Sequence, residues 1–130
     1  GQYRTPWEFE HNMMFILEKL LETKHGNDTF HGGVCLPILV TPPPVVDTDF
    51  YPFTTTDRLE QYAQIVKRLG KSYRCPIIDV FQAFLDIKEK QGPEAYDALF
   101  QFDGVHWSNT AYDIFYNMLE QALLVCTKDF

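Results

Sequence analysis

The hydrophobic residues of this chain fall into two patterns: stripes with helical spacing, and short runs that are apolar almost without interruption. The first stripe covers residues 6–24, and the pair Thr5 and Glu8 predicts a capping box at its start. Residues 34–40 (VCLPILV) and 75–81 (CPIIDVF) are the two apolar runs. Runs of this kind are typical of strands that are buried on both faces of a parallel sheet.

Further helices are predicted between and after these strands. One begins near Asp57, where Glu60 completes a second capping box, and Gly70 closes it. A helix over residues 82–90 ends at a Gly-Pro pair, a short helical turn follows, and the last helix has Ser108 as its N-cap. The order helix, strand, helix, strand, helix, helix predicts an α/β fold.

Two buried strands are too few for a stable parallel sheet. Such a sheet needs neighbouring strands and helices over both faces, and typical sheets have about four to six strands. We therefore expect residues 1–130 to be the C-terminal portion of a single larger α/β domain. Its remaining strands would lie upstream of Gly1 or on a separate polypeptide.

Composition and charge narrow the possible partners. The chain has 130 residues, 45% of them hydrophobic, which suits one domain with a core, and its net charge of −7 disfavours nucleic acid and anionic membranes as partners. No apolar run approaches the roughly 20 residues of a membrane span.

Cys35, Cys75 and Cys126 show no C-x-x-C spacing. We expect buried thiols, no metal site, and a reducing compartment, with the cytoplasm favoured.

One motif carries candidate chemistry. Asp103 and His106 lie three residues apart, around Gly104, directly before the last predicted helix. A carboxylate at this spacing can orient an imidazole and stabilise its charged form, and hydrolases use a histidine held in this way as a general base. Two common residue types at one spacing also arise by chance. In the alternative interpretation, Asp103 only forms a turn and His106 packs beside Trp107.

A general base needs a nucleophile, and neither serine of the chain is placed as one. Ser72 follows a helix rather than a strand, Ser108 is better interpreted as a helix cap, and no G-x-S-x-G elbow is present. Cys35 and Cys75 lie at the amino-terminal starts of the predicted strands. They are poor candidates, because open α/β sheets carry their active sites at the carboxyl ends of the strands.

Three sequence blocks together resemble the GDSL-type esterases of the SGNH hydrolase superfamily, with the isoamyl-acetate-hydrolysing esterase-like branch as the most similar group. DGVH (residues 103–106) resembles the last conserved block of that family, ILVTPPP (residues 38–44) its fourth strand, and CPIIDV (residues 75–80) the strand that follows. The resemblance extends from about Pro6 to Leu124. It implies the C-terminal part of a three-layer α/β/α, flavodoxin-like domain with a parallel sheet.

The resemblance also implies a function, the hydrolysis of a small ester or acyl substrate by a Ser-His-Asp triad without cofactor or metal. His106 would be the general base and Asp103 its orienting partner. The family's serine and its oxyanion-hole glycine and asparagine belong to earlier blocks, which residues 1–130 do not contain, so this chain alone is expected to be inactive.

Two alternatives to this function remain open. The first is a truncated, non-catalytic relative that binds a partner through its exposed sheet edge. The second is a carbohydrate-ester deacetylase on the same scaffold.

Overall fold

The computed structural model describes residues 4–22 and 37–128. Within these ranges the chain forms five helices and two strands, in the order α1 (Pro6–Glu22), β1 (Leu39–Val40), α2 (Thr56–Tyr73), β2 (Ile77–Ile78), α3 (Val80–Gln91), α4 (Pro93–Asp97) and α5 (Asn109–Lys128). The two strands pair in parallel, with Leu39 opposite Ile77 and Val40 opposite Ile78. This order and the parallel pairing confirm the predicted α/β class.

The core consists of two apolar clusters on opposite faces of the sheet. Leu39 belongs to a cluster with Leu17 of α1 and Val66 of α2. Ile38 packs against the other cluster, which is centred on Phe84 of α3. Because successive residues of a strand point to opposite faces, helices cover the sheet on both sides. This layering suits a parallel sheet, whose faces are both buried.

The starts of α1 and α2 follow from local capping. The Glu8 N–H donates to Thr5 Oγ1 (3.2 Å), and the Glu8 carboxylate accepts from the Thr5 N–H (2.8 Å), which confirms the predicted capping box. The cap of α2 is Thr55 rather than the predicted Asp57, because the Thr55 hydroxyl accepts from the Arg58 N–H at 3.3 Å. The helix itself begins within one residue of the predicted position.

The prediction that Gly70 closes α2 is wrong. The helix continues to Tyr73 and ends at Arg74, which has left-handed backbone angles (φ 54°). Gly70 is buried inside the helix, and a Cβ at this position would lie 2.3 Å from Cγ1 of Ile77. The glycine therefore permits close contact between α2 and β2 instead of terminating the helix.

The described strands are two residues long, whereas the apolar runs predicted strands over residues 34–40 and 75–81. Residues 34–36 lie outside the described part of the chain. β2 is short because the helix after it begins at once: the Asp79 side chain caps α3 by accepting from the Gln82 N–H (3.1 Å). The apolar residues after Asp79 therefore reach the core from a helix.

Two findings bear on the predicted absences. Across residues 4–22 and 37–128, no helix combines the length and the hydropathy that a membrane span requires. The same residues contain no group of three or more His, Cys, Asp or Glu side chains arranged to hold a metal ion.

Candidate active site

Asp103 and His106 lie in a tight turn between α4 and α5. The Gln101 N–H donates to the His106 carbonyl (2.8 Å), and the Gly104 N–H donates to the Gln101 carbonyl (2.9 Å). Gly104 has φ 74°, in the left-handed region that glycine adopts without steric cost. These backbone bonds hold Asp103 and His106 close to each other, independently of any bond between their side chains.

The turn is held against the loop that follows β1. The Val46 N–H donates to the Gly104 carbonyl (2.9 Å), and the Thr48 hydroxyl donates to the Asp103 carbonyl (3.0 Å). A Cβ on Gly104 would lie 2.4 Å from the Val46 carbonyl oxygen, so a larger residue cannot make this approach. Because this loop leaves the carboxyl end of β1, the turn lies at the sheet edge where open α/β proteins carry their active sites.

The Asp103 carboxylate is buried and both of its oxygens accept hydrogen bonds. Oδ1 accepts from the backbone N–H groups of Val105 and His106, each at 3.0 Å, and Oδ2 bonds to Nδ1 of the His106 ring. Because an ionised carboxylate can only accept, Nδ1 carries the proton and Nε2 of the neutral ring keeps its lone pair. The His106 side chain is 65% exposed. The ring is therefore oriented on one side and open to a reacting partner on the other.

Hydrogen bonding keeps the Asp103 carboxylate charged. The bond from the His106 ring, followed by the backbone N–H groups of Val105 and His106, lowers the pKa of Asp103 from 3.8 to about 2. The carboxylate is thus fully ionised at neutral pH. A fixed negative charge at Nδ1 stabilises the imidazolium that forms when Nε2 takes a proton.

The structure therefore brings together the two residues that the sequence singled out, although their catalytic role stays a prediction. Trp107 packs in the core, with its ring centroid 5.3 Å from that of Phe84 and 5.7 Å from that of Phe115. The neighbouring His106 ring is mostly exposed. A histidine that served only to pack beside Trp107 would not be expected to remain open to solvent.

The candidate nucleophiles rejected from the sequence have other surroundings. The Ser108 hydroxyl donates to the Ala98 carbonyl at 2.7 Å, and the Ser108 carbonyl accepts from the Tyr112 N–H at the start of α5. Cys75 is buried as predicted, and burial raises the pKa of its thiol, which disfavours the reactive thiolate. Cys35 and the side chain of Cys126 lie outside the described residues. Within the described part of the chain, no Ser or Cys side chain is hydrogen-bonded to His106.

Sequence reasoning missed a polar pair at the carboxyl ends of the strands. Thr41 follows β1 and Asp79 follows β2; the Thr41 hydroxyl accepts from the Phe81 N–H (3.0 Å) and donates to Asp79 Oδ1 (3.3 Å). Lys67 Nζ lies 2.8 Å from Asp79 Oδ2. These bonds join the two strand ends, on the same edge of the sheet as the turn that carries Asp103 and His106 (the dyad turn). A Thr and an Asp directly after apolar runs were the available signal.

A cleft of about 570 Å³ opens beside the outer edge of β1. The Leu39 N–H donates to the Pro76 carbonyl (2.8 Å) and the Thr41 N–H to the Ile78 carbonyl (3.0 Å), so the backbone groups of Val40 point away from β2. Val40 is 41% exposed. The cleft is lined largely by apolar side chains of α1, α2 and the end of β1, among them Phe9, Met13, Val40, Pro42, Leu59 and Val66.

Comparison with known proteins supports the fold. No protein-family model and no curated protein sequence matches this chain. A lipase/acylhydrolase from Enterococcus faecalis is similar in structure, with a TM-score of 0.68 and 19% sequence identity over 91% of this chain and 51% of that protein. LAE5, an alpha/beta hydrolase enzyme from the metagenome of Lake Arreo, Spain, gives a TM-score of 0.65 and 19% identity over 93% of this chain and 48% of that protein.

The chain thus spans about half the length of the solved hydrolases that it resembles. Half coverage at these TM-scores agrees with the shortage of strands, because residues 4–22 and 37–128 supply only a two-stranded sheet. The described chain has the α/β fold of part of an acylhydrolase domain, consistent with the resemblance of its sequence to the GDSL-type esterases.

Proposed function

We propose that this chain supplies the histidine and the aspartate of a serine-dependent carboxylic-ester hydrolase. One observation carries the proposal: the buried Asp103 carboxylate is fixed by two backbone N–H groups and bonds Nδ1 of His106, whose ring is otherwise exposed. A surface ion pair has no need of a buried, doubly anchored carboxylate, whereas an oriented general base does. The fold shared with two hydrolases supports the same function.

The proposed reaction starts from the ionised Asp103 carboxylate and from the His106 tautomer inferred above, with the proton on Nδ1. Nε2 of His106 takes the proton of a serine hydroxyl while the serine oxygen attacks the ester carbonyl carbon. The resulting imidazolium, stabilised by the Asp103 carboxylate, gives this proton to the departing alkoxide and leaves an acyl-serine. Water then attacks the acyl group by the same proton transfers and regenerates the serine.

The serine and the oxyanion donors would come from a complementary polypeptide that completes the sheet, either upstream in the same protein or as a separate chain. The outer edge of β1 and the adjacent cleft suit a parallel strand at Val40. The carboxyl end of such a strand would lie next to Thr41 and so on the same sheet edge as the dyad turn. A nucleophile placed after that strand could reach Nε2 of His106.

Substitution of His106 tests this function in the complete protein. His106→Ala should reduce kcat for p-nitrophenyl acetate by about 10⁴-fold or more, because triad members act as a unit. Asp103→Asn should cost less, since some base function survives misorientation. His11→Ala, which removes an exposed histidine of α1, is the matched control and should leave kcat unchanged. Unfolding free energies of the same preparations separate a catalytic loss from a folding loss. A loss of stability with unchanged turnover per folded molecule would contradict the proposal.

The exposed edge of β1 also favours a second candidate, a non-catalytic module that binds a partner by strand addition. A serine-directed fluorophosphonate distinguishes the two, because only a hydrolase is labelled, and His106→Ala should abolish the labelling. A carbohydrate-ester deacetylase would be labelled too. Relative kcat/KM values for acetylated sugars and for p-nitrophenyl acetate would identify it.

A further inference from the structure

Two exposed aromatic rings lie beside the dyad turn. Phe102 directly precedes Asp103 and is 83% exposed, and Phe50, in the loop after β1, is 63% exposed. Their ring centroids are 5.7 Å apart at an interplanar angle of 81°, an edge-to-face contact. We refer to Phe50 and Phe102 together as the aromatic wall.

The same hydrogen bonds that hold the dyad also hold the aromatic wall. The Thr48 hydroxyl donates to the Asp103 carbonyl. Thr48 lies two residues before Phe50, and Asp103 lies one residue after Phe102. The Val46 N–H bond to the Gly104 carbonyl fixes the loop to the turn from the other side. The backbone segments that carry Phe50 and Phe102 are therefore held against each other and against the turn of His106, as a surface that orients a substrate requires.

The core does not account for the aromatic wall. Phe100, two residues before Phe102, is buried and packs against Phe84 and Tyr96, so the turn is already anchored by an aromatic residue. Phe102 leaves most of its ring in water. Large exposed apolar side chains that are grouped together mark binding surfaces more often than isolated ones do.

The surroundings of the wall favour an uncharged ligand. Asp47 and Asp49 are exposed on the same loop, close in sequence to Phe50, and the chain carries a net charge of −7. These charges disfavour a ligand with a carboxylate or phosphate group at this position. A hydrocarbon chain attached to a neutral ester matches both the apolar rings and the acidic rim.

We propose that the aromatic wall binds the hydrocarbon chain of a neutral ester substrate and gives the hydrolase its preference for longer chains. This inference rests on the proposed function, because it requires an ester held at His106, in the turn where Phe102 directly precedes Asp103. Each methylene that the rings shield from water contributes about 0.8 kcal/mol, or roughly a fourfold gain in affinity.

The test compares chain-length profiles of Phe102→Ala and Phe50→Ala in the complete hydrolase. One series of esters varies the acyl chain, from p-nitrophenyl acetate to octanoate, and the other varies the alcohol, from ethyl to octyl acetate. Each variant should lower kcat/KM for the longest ester of one series by roughly tenfold, mainly through KM, and should leave the shortest ester unchanged. The series that responds identifies which part of the ester meets the wall. Trp7→Ala, which removes a ring at the start of α1 that is 65% exposed, is the matched control.

A second measurement needs no turnover. Calorimetry should give a dissociation constant for octan-1-ol that rises several-fold in Phe102→Ala and stays constant in Trp7→Ala. Equal losses for all chain lengths, or no loss in either series, would overturn the inference while leaving the esterase intact. Absence of hydrolysis in the unsubstituted protein, combined with Phe102-dependent octanol binding, would overturn the proposed function and retain the wall. A dissociation constant for octan-1-ol that is unchanged in both Phe102→Ala and Phe50→Ala would overturn the inference in any case.

Discussion

At the residue scale, the candidate site depends on a carboxylate and a glycine whose roles are set by their partners. The Asp103 carboxylate accepts three hydrogen bonds, and Gly104 allows the turn to approach the Val46 carbonyl. The partners of both residues lie within the described chain. The unfolding free energy of substituted proteins therefore tests both roles.

The lowered pKa of Asp103 predicts a specific pH dependence of stability. Because the pKa falls from 3.8 to about 2 on folding, the ionised carboxylate stabilises the folded state above about pH 4, and this stabilisation is lost as the pH falls towards 2. Asp103→Asn lacks it at every pH. The difference in urea midpoint between Asp103→Asn and the unsubstituted protein should shrink as the pH falls from about 4 towards 2.

Asp113→Asn is the control for this measurement, because it removes an exposed carboxylate of α5 and changes the net charge equally. The urea midpoints of Asp103→Asn and the unsubstituted protein could also differ by the same amount at pH 2 as at pH 7. That result would show that the carboxylate is not held by the bonds described above.

Gly104→Ala and Gly92→Ala form a matched pair. Both glycines have positive φ (74° and 94°), but a Cβ at Gly92 has no heavy atom within 4 Å, whereas one at Gly104 meets the Val46 oxygen. Gly92→Ala should cost about 1–3 kcal/mol of unfolding free energy from backbone strain alone. Gly104→Ala should cost a further 1–3 kcal/mol or so, as overpacking does. Equal losses in denaturant titrations would mean that the turn does not press against the loop.

At the scale of elements, the contact of α2 with the sheet depends on one buried glycine. A glycine in an exposed helix interior is about 1 kcal/mol less favourable than alanine, so its replacement would normally stabilise the protein. For Gly70 we expect the opposite effect, a loss of stability, because a Cβ would lie 2.3 Å from Cγ1 and 2.5 Å from Cδ1 of Ile77. The sign of the effect therefore reports on the packing between α2 and β2.

We expect Gly70→Ala to reduce the unfolding free energy by about 1–3 kcal/mol. Lys71→Ala, at the adjacent exposed position of α2, should change it by no more than about 0.5 kcal/mol. In the background of Ile77→Ala, which removes the obstructing atoms, Gly70→Ala should be neutral or stabilising. A stabilising effect of Gly70→Ala alone would contradict the close contact.

At the scale of the whole molecule, the described chain exposes apolar surface where a complete α/β sheet would be covered. Exposed apolar or aromatic side chains occur at the edge of β1, on α1 and on α5: Val40, Phe15, Ile16, Tyr116 and Leu123. Burial of such surface gains about 25 cal/mol per Å². The proposed complementary polypeptide would therefore bind through this surface.

Residues 1–130 alone should be inactive towards p-nitrophenyl acetate beyond weak imidazole catalysis. Within the described residues His106 has no serine or cysteine bonded to it, and its orientation alone does not supply a nucleophile. The rate should stay linear in substrate concentration and should be unaffected by a fluorophosphonate. A saturable rate that the fluorophosphonate abolishes would implicate Ser108 or Ser72.

Local sequence by itself determined the elements and the candidate dyad. Helical periodicity and the Thr5–Glu8 capping box define α1, and apolar runs followed by polar residues locate both strands, because these signals act over one or two turns of chain. The D-x-x-H spacing of Asp103 and His106 is also a local signal. Asp103 and His106 are close enough in sequence for the backbone turn alone to bring them together.

Tertiary structure decided what no local pattern contains. The sequence around Gly70 predicts a helix end, and only the packing of Ile77 against this glycine shows its role. The bond between Thr41 and Asp79 joins strand ends that are 38 residues apart. The contact of Phe102 with Phe50 joins residues far apart in sequence. These contacts depend on which distant segments the core brings together, and the free energy of that packing belongs to the whole fold and not to any window of the sequence.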